Sequence, residues 1–381
     1  MGEILFLAHR LPYPPDRGDR IRSWHILRAL AKIAPIHVAS LIDHEADRVH
    51  LATVESVAVS VTVEPRDPSK LRAMMAALLR GTPASVEAFR NQALKTKVDA
   101  LLMTRPIDCI YAFSGQMAAY VPPEFGGRFI MDFVDMDSAK FEQLGGFANR
   151  QEARRLLRWE TEAAGRAAVS LFVSDAEVGL FESKTGLAAT MLGNGIDLDQ
   201  FDPDHVEPVP KTGPLIVFTG QMDYAPNIEA VVDFTHTQLP AIIAAVSNVK
   251  FAIVGRAPAP QVLNLAGPDV IVTGEVTDTR PWLAAADVVV APLKLARGVQ
   301  NKVLEAMAMA RPVVASTAAA LGIDAVYGRD LIVSDNAASA VIDLFQNPTR
   351  ATAIGAAART RMLEYYPWDA QLVPLAGIVA G

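Results

Sequence analysis

Residues 287–316 constrain the fold more tightly than any other stretch. Asp287 to Leu293 reads DVVVAPL, a run of branched apolar residues suited to a strand covered on both faces of a parallel sheet. Pro312 to Ser316, PVVAS, repeats the pattern. Between them Val299, Val303, Met307 and Ala310 recur at three- and four-residue intervals, which predicts a helix with one stripe on the sheet and with Lys302 and Glu305 directed elsewhere. Strand, Gly-containing loop, helix and strand make a βαβ unit. Its loop lies at the carboxyl end of the sheet, and its helix N-terminus presents free N–H groups and about half a positive charge. A phosphate suits that place. Arg297 and Lys302 bracket it, and Glu305 stands one turn further in, where it can accept hydrogen bonds from paired hydroxyls such as those of a ribose. The competing reading is that Lys302 and Glu305 belong to a solvated face.

The rest of the chain alternates in the same way. A strand from Glu3 to Ala8 runs into HRLPYPPDRGDR and then a helix with Ile21, Trp24, Leu27 and Leu30 on one side. Gly18 in that loop permits close backbone approach, Asp19 is a candidate N-cap, and Arg20 and Arg22 are the nearest cations. Strands follow at 36–41 and 57–63, helical patterns at 69–79 and 85–103, and strands at 107–112 and 128–133. The last is followed by VDMDSAK, whose Asp135 and Asp137 either orient hydroxyls of a ligand or cap the next helix. KLRAMMAALLRG sets Lys70, Arg72 and Arg80 around an apolar body, a surface for docking on a membrane or a core helix with its charges in water. The helix at QEARRLLRWETEAAGRAA carries Arg154, Arg155 and Arg158 on an expected solvated face. DPDHVEPVPKTGP has the composition of a linker, and from Pro214 the alternation restarts, with Gly220, Gly255 and Gly274 each ending a strand. The fold class is therefore α/β, with two doubly wound Rossmann-like domains. TGQMDYAPN after the first strand of the second domain lacks G-x-G-x-x-G, which argues against nicotinamide chemistry.

Asn301-Lys302-Val303-Leu304-Glu305-Ala306-Met307-Ala308, followed by Arg311-Pro312-Val313-Val314, resembles the second half of the donor-binding signature of the group 1 retaining glycosyltransferases, E-G-F-G-x-x-x-x-E-A-x-A-x-G-x-P-V. Arg297 occupies the place of that family's first Glu. Asn194-Gly195-Ile196-Asp197 is similar to its N-G-V-D passage between domains. The resemblance implies a GT-B fold, with the two domains facing a central cleft: 1–195 on the acceptor side, 196–365 on the donor side, and a final helix, about 366–381, crossing back near Trp368. It also implies a P-x-x-x-G loop at Gly18 that approaches the donor phosphates. Gly274, Glu275 and Val276 then hold the nucleobase through backbone groups, Gly298 and Asn301 face the diphosphate, and Glu305 takes the ribose. The family's diphosphate cations fall on Gln221 and Pro226 and are missing, so Arg256, Arg297 and Lys302 are the expected substitutes. Many relatives have a His after the 128–133 strand, where this chain has Asp135 and Asp137. PYPPDRGDR, DFVDMDS, GQMDYAPN and GVQNKVLEAMA look most like sugar transferases of bacterial exopolysaccharide loci, including those accompanying exosortase systems. The implied reaction moves a sugar from a nucleoside diphosphate sugar to a saccharide or lipid-linked saccharide, with retention and without metal. A same-fold nucleotide-sugar epimerase and a non-catalytic partner subunit are the alternatives.

Composition narrows the classes. Hydrophobic residues make up 51% and charged residues 20%, yet no apolar run approaches the roughly 18 residues of a membrane span. Met1 leads into a core-type strand instead of a basic leader, so a cytoplasmic enzyme, at most peripheral on the membrane, is expected. Cys109 is the single cysteine, which leaves no disulfide framework or thiolate metal site. The net charge of −7 disfavours nucleic acid as a partner.

Overall fold

The computed structural model describes residues 2–66, 69–296 and 298–381. Two compact units emerge, one of Met1–Asn194 with Gln371–Gly381 and one of Gly195–Ala370.

The first unit is a seven-stranded sheet, parallel throughout, in the order β3-β2-β1-β4-β5-β6-β7. Its strands are β1 (Glu3–Ala8), β2 (Ile36–Ile42), β3 (Ser60–Pro65), β4 (Ile107–Phe113), β5 (Arg128–Val134), β6 (Val169–Phe172) and β7 (Thr190–Met191). Helices α1 (Gly18–Ala31), α2 (Leu51–Glu55), α3 (Lys70–Arg80), α4 (Ala84–Glu87), α5 (Gln92–Thr104), α6 (Asp137–Leu144), α7 (Phe147–Arg166) and α8 (Asp175–Thr185) connect them. β2 is buried along its whole length, as a central strand covered on both faces must be. Two expected elements differ. The strand expected at 57–63 starts at Ser60, because the Val57 N–H still closes the α2 turn on the Val54 carbonyl. The helix expected over 85–103 is broken: the Asn91 side chain accepts from the Leu94 N–H at 2.9 Å and starts α5 afresh.

Inside this unit Asp132, wholly buried on β5, is saturated. Arg22, itself 1% exposed, donates to it from Nε at 3.2 Å and lies 3.0 Å away through Nη2, and the Tyr111 hydroxyl donates at 2.7 Å. The same guanidinium donates to Asn194 Oδ1 at 2.9 Å and to the Gly193 carbonyl at 3.2 Å. A buried pair with every lone pair used is tolerable, whereas either partner alone would be an uncompensated charge. Arg22 therefore belongs to the framework and not to a phosphate loop. Arg20 is similarly engaged, 5% exposed and 3.1 Å from Asp47.

Glu160 on α7 holds the start of α6, accepting from the Ser138 N–H at 3.0 Å and from its hydroxyl. Burial pushes its carboxyl up to about 7, against the Ser138 hydrogen bonds and with help from Asp137. The folded protein then keeps a proton that the unfolded chain loses near 4.5. Stability from this group is full below that value and is lost as pH rises through about 7. Glu160→Gln is expected to flatten that slope in thermal melts across the window; an unchanged slope would assign it to other groups.

The second unit is a six-stranded parallel sheet in the order β10-β9-β8-β11-β12-β13. Its strands are β8 (Leu215–Thr219), β9 (Lys250–Val254), β10 (Val270–Gly274), β11 (Val288–Ala291), β12 (Val313–Ala315) and β13 (Ile332–Val333). Helices include α9 (Ala225–Asp233), α10 (Leu239–Ala245), α11 (Pro260–Leu263), α12 (Arg280–Ala285) and α13 (Asn301–Ala308). α13 is shorter than its apolar period suggests. Val303 and Met307 are fully buried, but Ala310 has φ +54° and lies outside the helix. The Ala310 N–H bonds the Met307 carbonyl and the Arg311 N–H bonds Ala306, a Schellman closure made with Ala in place of Gly.

The return to the first unit begins later than expected. Pro367 bridges to Ile196, and Gly195 lies so close to Trp368 that an added Cβ would sit 2.6 Å from its Cα. These contacts hold 366–370 in the second unit, and the crossing falls at Gln371.

Candidate functional site

In open parallel sheets ligands bind beyond the carboxyl ends of the strands, where the strand order reverses. In the second unit that point lies between β8 and β11. β8 ends in Thr219 and Gly220, and β11 leads through 292–300 into α13, so Lys302 and Glu305 arrive there on the second and fifth residues of the helix. The Lys302 ammonium reaches back over β8. It donates to Asn227 Oδ1 at 2.6 Å and stands 4.2 Å from the centre of the Phe218 ring. Asn227, 6% exposed on α9, is fixed in turn by donating to the Gln221 carbonyl at 2.9 Å. Gly220 makes this approach possible, since a Cβ there would lie 2.8 Å from Asn227 Nδ2 and 3.0 Å from Lys302 Nζ.

The pair is short of partners. Burial pushes Lys302 down to about 7, opposed by the Glu305 charge, and pushes Glu305 up to about 7, opposed by Lys302. Among the described residues no hydrogen bond reaches the Glu305 carboxylate. Thr219 Oγ1 and Asn301 Oδ1 are also buried without a hydrogen-bond partner. Gln300, the N-cap of α13, makes no side-chain cap; its carbonyl takes the Val303 N–H at 2.9 Å, and among the described residues the Asn301 and Lys302 N–H groups have no partner. A half-buried cation, a half-buried carboxylate and open helix N–H groups at one strand junction can hold a phosphate beside a diol.

The other expected residues of this unit spread along the sheet edge. Gly220 and Gly255 meet back to back: the Gly220 N–H bonds the Val254 carbonyl at 3.0 Å, and a Cβ on Gly255 would overlap the Gly220 carbonyl oxygen. Arg256 follows directly, half-buried, its carbonyl accepting from the Met222 N–H at 2.9 Å. Gly274 closes β10 with φ +69° and open space around it; Glu275 is exposed and Val276 packs on the core. Gly298 has φ +63°. Arg297 lies outside the described residues.

In the first unit the strand order reverses between β1 and β4. There His9, 7% exposed, stacks on Phe113 at 5.9 Å and meets Phe89 edge-on, and its Nδ1 is buried without a partner. Its Nε2 lies 3.2 Å from Asp19 and 3.0 Å from Arg10. Asp19 is not the N-cap of α1. That place falls to Arg17, and the Asp19 carboxylate, although burial opposes it, is held well below the usual range by His9, Arg10 and Arg17. Gly18 is the first residue of α1.

Asp135 and Asp137 come together on one cation. Lys140 lies 2.9 Å from Asp135 and 3.2 Å from Asp137, and Gln116 donates to Asp137 at 3.1 Å. Burial opposes the Lys140 charge, but the two carboxylates hold it protonated well above its ordinary range. Asp137 opens α6 without capping it, a task taken by Glu160 and by Glu177, which accepts from the Met136 N–H at 2.8 Å. Asp135 keeps one buried oxygen, Oδ1, without a partner. The two flanking strand ends are strained: Ser114 has φ +78° and the β-branched Val134 φ +70°. One residue pins both, since Asp132 accepts the Ser114 N–H on its carbonyl at 2.7 Å and the Val134 N–H on its carboxylate at 3.1 Å.

Sequence reasoning overlooked His9, Asn227 and Lys140. His9 was marked by its place, a polar residue directly after the last apolar residue of β1. Asn227 and Lys140 gave no signal, because their roles depend on which strands become neighbours. Among the described residues no group of three His, Cys, Asp or Glu is placed to hold a metal.

Residues 213–347 match the family described as glycosyl transferases group 1. No curated protein matches the chain. Among solved structures, sucrose-phosphate synthase from Thermosynechococcus elongatus is 16% identical over 100% of this chain and 98% of its own, with a TM-score of 0.72. HepE from Anabaena, in complex with UDP and glucose, is 16% identical over 100% of both chains, also at 0.72. WaaG, a glycosyltransferase involved in lipopolysaccharide biosynthesis, is 15% identical over 99% of this chain and 100% of its own, at 0.68. The fold is α/β and of the GT-B type.

Proposed function

We propose that the protein transfers a glycosyl group, with retention, from a nucleoside diphosphate sugar to a hydroxyl of a saccharide or lipid-linked saccharide, in the synthesis of a bacterial exopolysaccharide or cell-surface glycan on the cytoplasmic side. The observation that carries this reading is the Lys302 ammonium, seated on Asn227 over Gly220 at the β8–β11 junction, with Glu305, which accepts no hydrogen bond among the described residues, one turn away. The match of 213–347 to group 1 glycosyl transferases and the UDP-glucose complex of HepE support it.

The anomeric C–O bond to the diphosphate breaks as the bond to the acceptor oxygen forms, and the acceptor's proton passes to the departing phosphate. Negative charge grows on the departing phosphate oxygen, where Lys302 and the α13 N–H groups stabilise it. Arg256 and Arg297 are assigned to the same charge, Glu305 to the ribose, and the backbone at Gly274, Glu275 and Val276 to the base. Gly18 is assigned to the donor phosphates, and Asp135 and Asp137 to the acceptor side, with Asp135 Oδ1, which lacks a hydrogen-bond partner, offered to a sugar hydroxyl.

Thermal-shift screening against UDP, GDP and ADP sugars tests the reading, because a ligand at 100 times its dissociation constant stabilises by about 2.7 kcal/mol. No shift with any of them would overturn it. Sugar products that form only when acceptor is present exclude an epimerase. Turnover is expected to survive chelation of divalent ions; activity that vanishes with chelator and returns with Mg²⁺ or Mn²⁺ would overturn the metal-free mechanism.

A further inference from the structure

Among the described residues nothing apolar covers the outer face of α3. Leu71, Met74, Met75, Leu78 and Leu79 are 68, 57, 50, 70 and 88% exposed, while only Ala73 and Ala77 turn inward. Five large apolar side chains on eleven residues are more than scattered surface hydrophobics. A second exposed group lies at the turn between α6 and α7, where Leu144 is 59% and Phe147 85% exposed. From Phe147 the exposed residues Arg150, Arg154 and Arg158 continue at spacings of three and four, which places all four side chains on one stripe of α7. Among the described residues these three arginines have no ion pair. α4 packs between the two helices, against a flank of α7 that lies away from the arginine stripe. Glu152 of α7 accepts from the Ala84 and Ser85 N–H groups at 3.1 and 2.9 Å, and Arg80 at the end of α3 donates to Glu87 of α4 at 2.6 Å.

We propose that this face of the first unit docks on an anionic phospholipid surface, with α3 and Phe147 entering the interface and the α7 arginines resting on headgroup phosphates. The charge pattern favours that occupant. α3 contains Lys70, Arg72 and Arg80 and no acid, in a chain whose net charge is −7. An apolar face edged by cations suits an anionic bilayer surface. A second copy of the chain fits poorly, because a two-fold contact would bring arginine stripe against arginine stripe. α3, about 16 Å long and about 10 Å across, offers an outline on the order of 160 Å², small beside the roughly 800 Å² per partner that a stable dimer needs.

Flotation of the intact protein with vesicles tests this without any nucleotide sugar, so its outcome is independent of the proposed transfer reaction. The wild type is expected to partition at least about tenfold more strongly onto phosphatidylcholine vesicles holding about 30 mol% phosphatidylglycerol than onto phosphatidylcholine alone, and to lose that preference in about 0.5 M salt. L78E/L79E should lower partitioning about tenfold or more, and R154E/R158E should abolish the preference for the anionic lipid. All four side chains are exposed, so melting midpoints and thermal shifts with nucleotide sugars should stay unchanged. The proposal is overturned if the wild type stays in solution with anionic vesicles, or if both variants float as it does. It is equally overturned if L78E/L79E turns a dimer into monomers and leaves flotation intact.

Discussion

Lys302→Met is expected to weaken nucleoside diphosphate binding by about 10- to 150-fold, the range for losing a hydrogen bond of roughly 1.5–3 kcal/mol to a charged group. The empty protein should become more stable at the same time. In the folded state the ammonium sits beside Phe218 and Asn227 with no carboxylate in hydrogen-bond reach among the described residues, and burial lowers its pKa from 10.5 to about 7. Between those values the unfolded chain binds a proton that the folded protein does not. The wild type therefore loses stability as pH falls through this window, and the Met variant should not. A diphosphate would restore the proton, so wild-type affinity should fall as pH rises above about 7 while the variant's stays level. Melts and nucleotide titrations across pH read both effects. A variant that is less stable and binds as well as the wild type would make Lys302 a framework residue.

Gly255→Ala is expected to cost about 4 kcal/mol or more and to leave the second unit unfolded or without its site. The added Cβ would overlap the Gly220 carbonyl oxygen, a backbone atom that no side-chain rotation can move, and the φ of +152° is foreign to alanine. Moving Gly220 aside would carry Asn227 and Lys302 with it. Gly274→Ala is the control. It also has a positive φ, but nothing lies within 4 Å of the added carbon, so its cost should stay near 1 kcal/mol. Equal losses in the two variants would show that backbone angle alone, and not the close approach of β8 and β9, requires glycine at position 255.

Periodicity fixed most of the architecture. Runs such as Asp287–Leu293 and Lys250–Gly255 can only be strands buried on both faces, and their alternation with helices admits little besides parallel sheets. Ends of elements were less legible. Ala310 continues the apolar stripe of α13 in sequence, yet its own left-handed backbone ends the helix, and Asn91 breaks a helix that composition alone would extend. In the site, Lys302 and Glu305 were legible from their place after β11. Asn227 was not, because its role appears only once β8 and β11 are neighbours. Arg20 and Arg22 stand nearest the Gly18 loop in sequence, but their acidic partners Asp47 and Asp132 lie far along the chain, and nothing local announces that both guanidinium groups are already engaged.

The strap of residues 371–381 has a consequence for the order in which the protein is made. Leu375 and Val379 are buried, and Arg128 on β5 donates to the Ile378 carbonyl at 2.7 Å, so the first unit is incomplete until this segment arrives. The second unit is continuous in sequence. During vectorial synthesis it can therefore finish folding while the earlier-made unit still waits for its last piece. A frameshift or nick beyond Ala370 would leave the later-made half whole and injure the half that left the ribosome first.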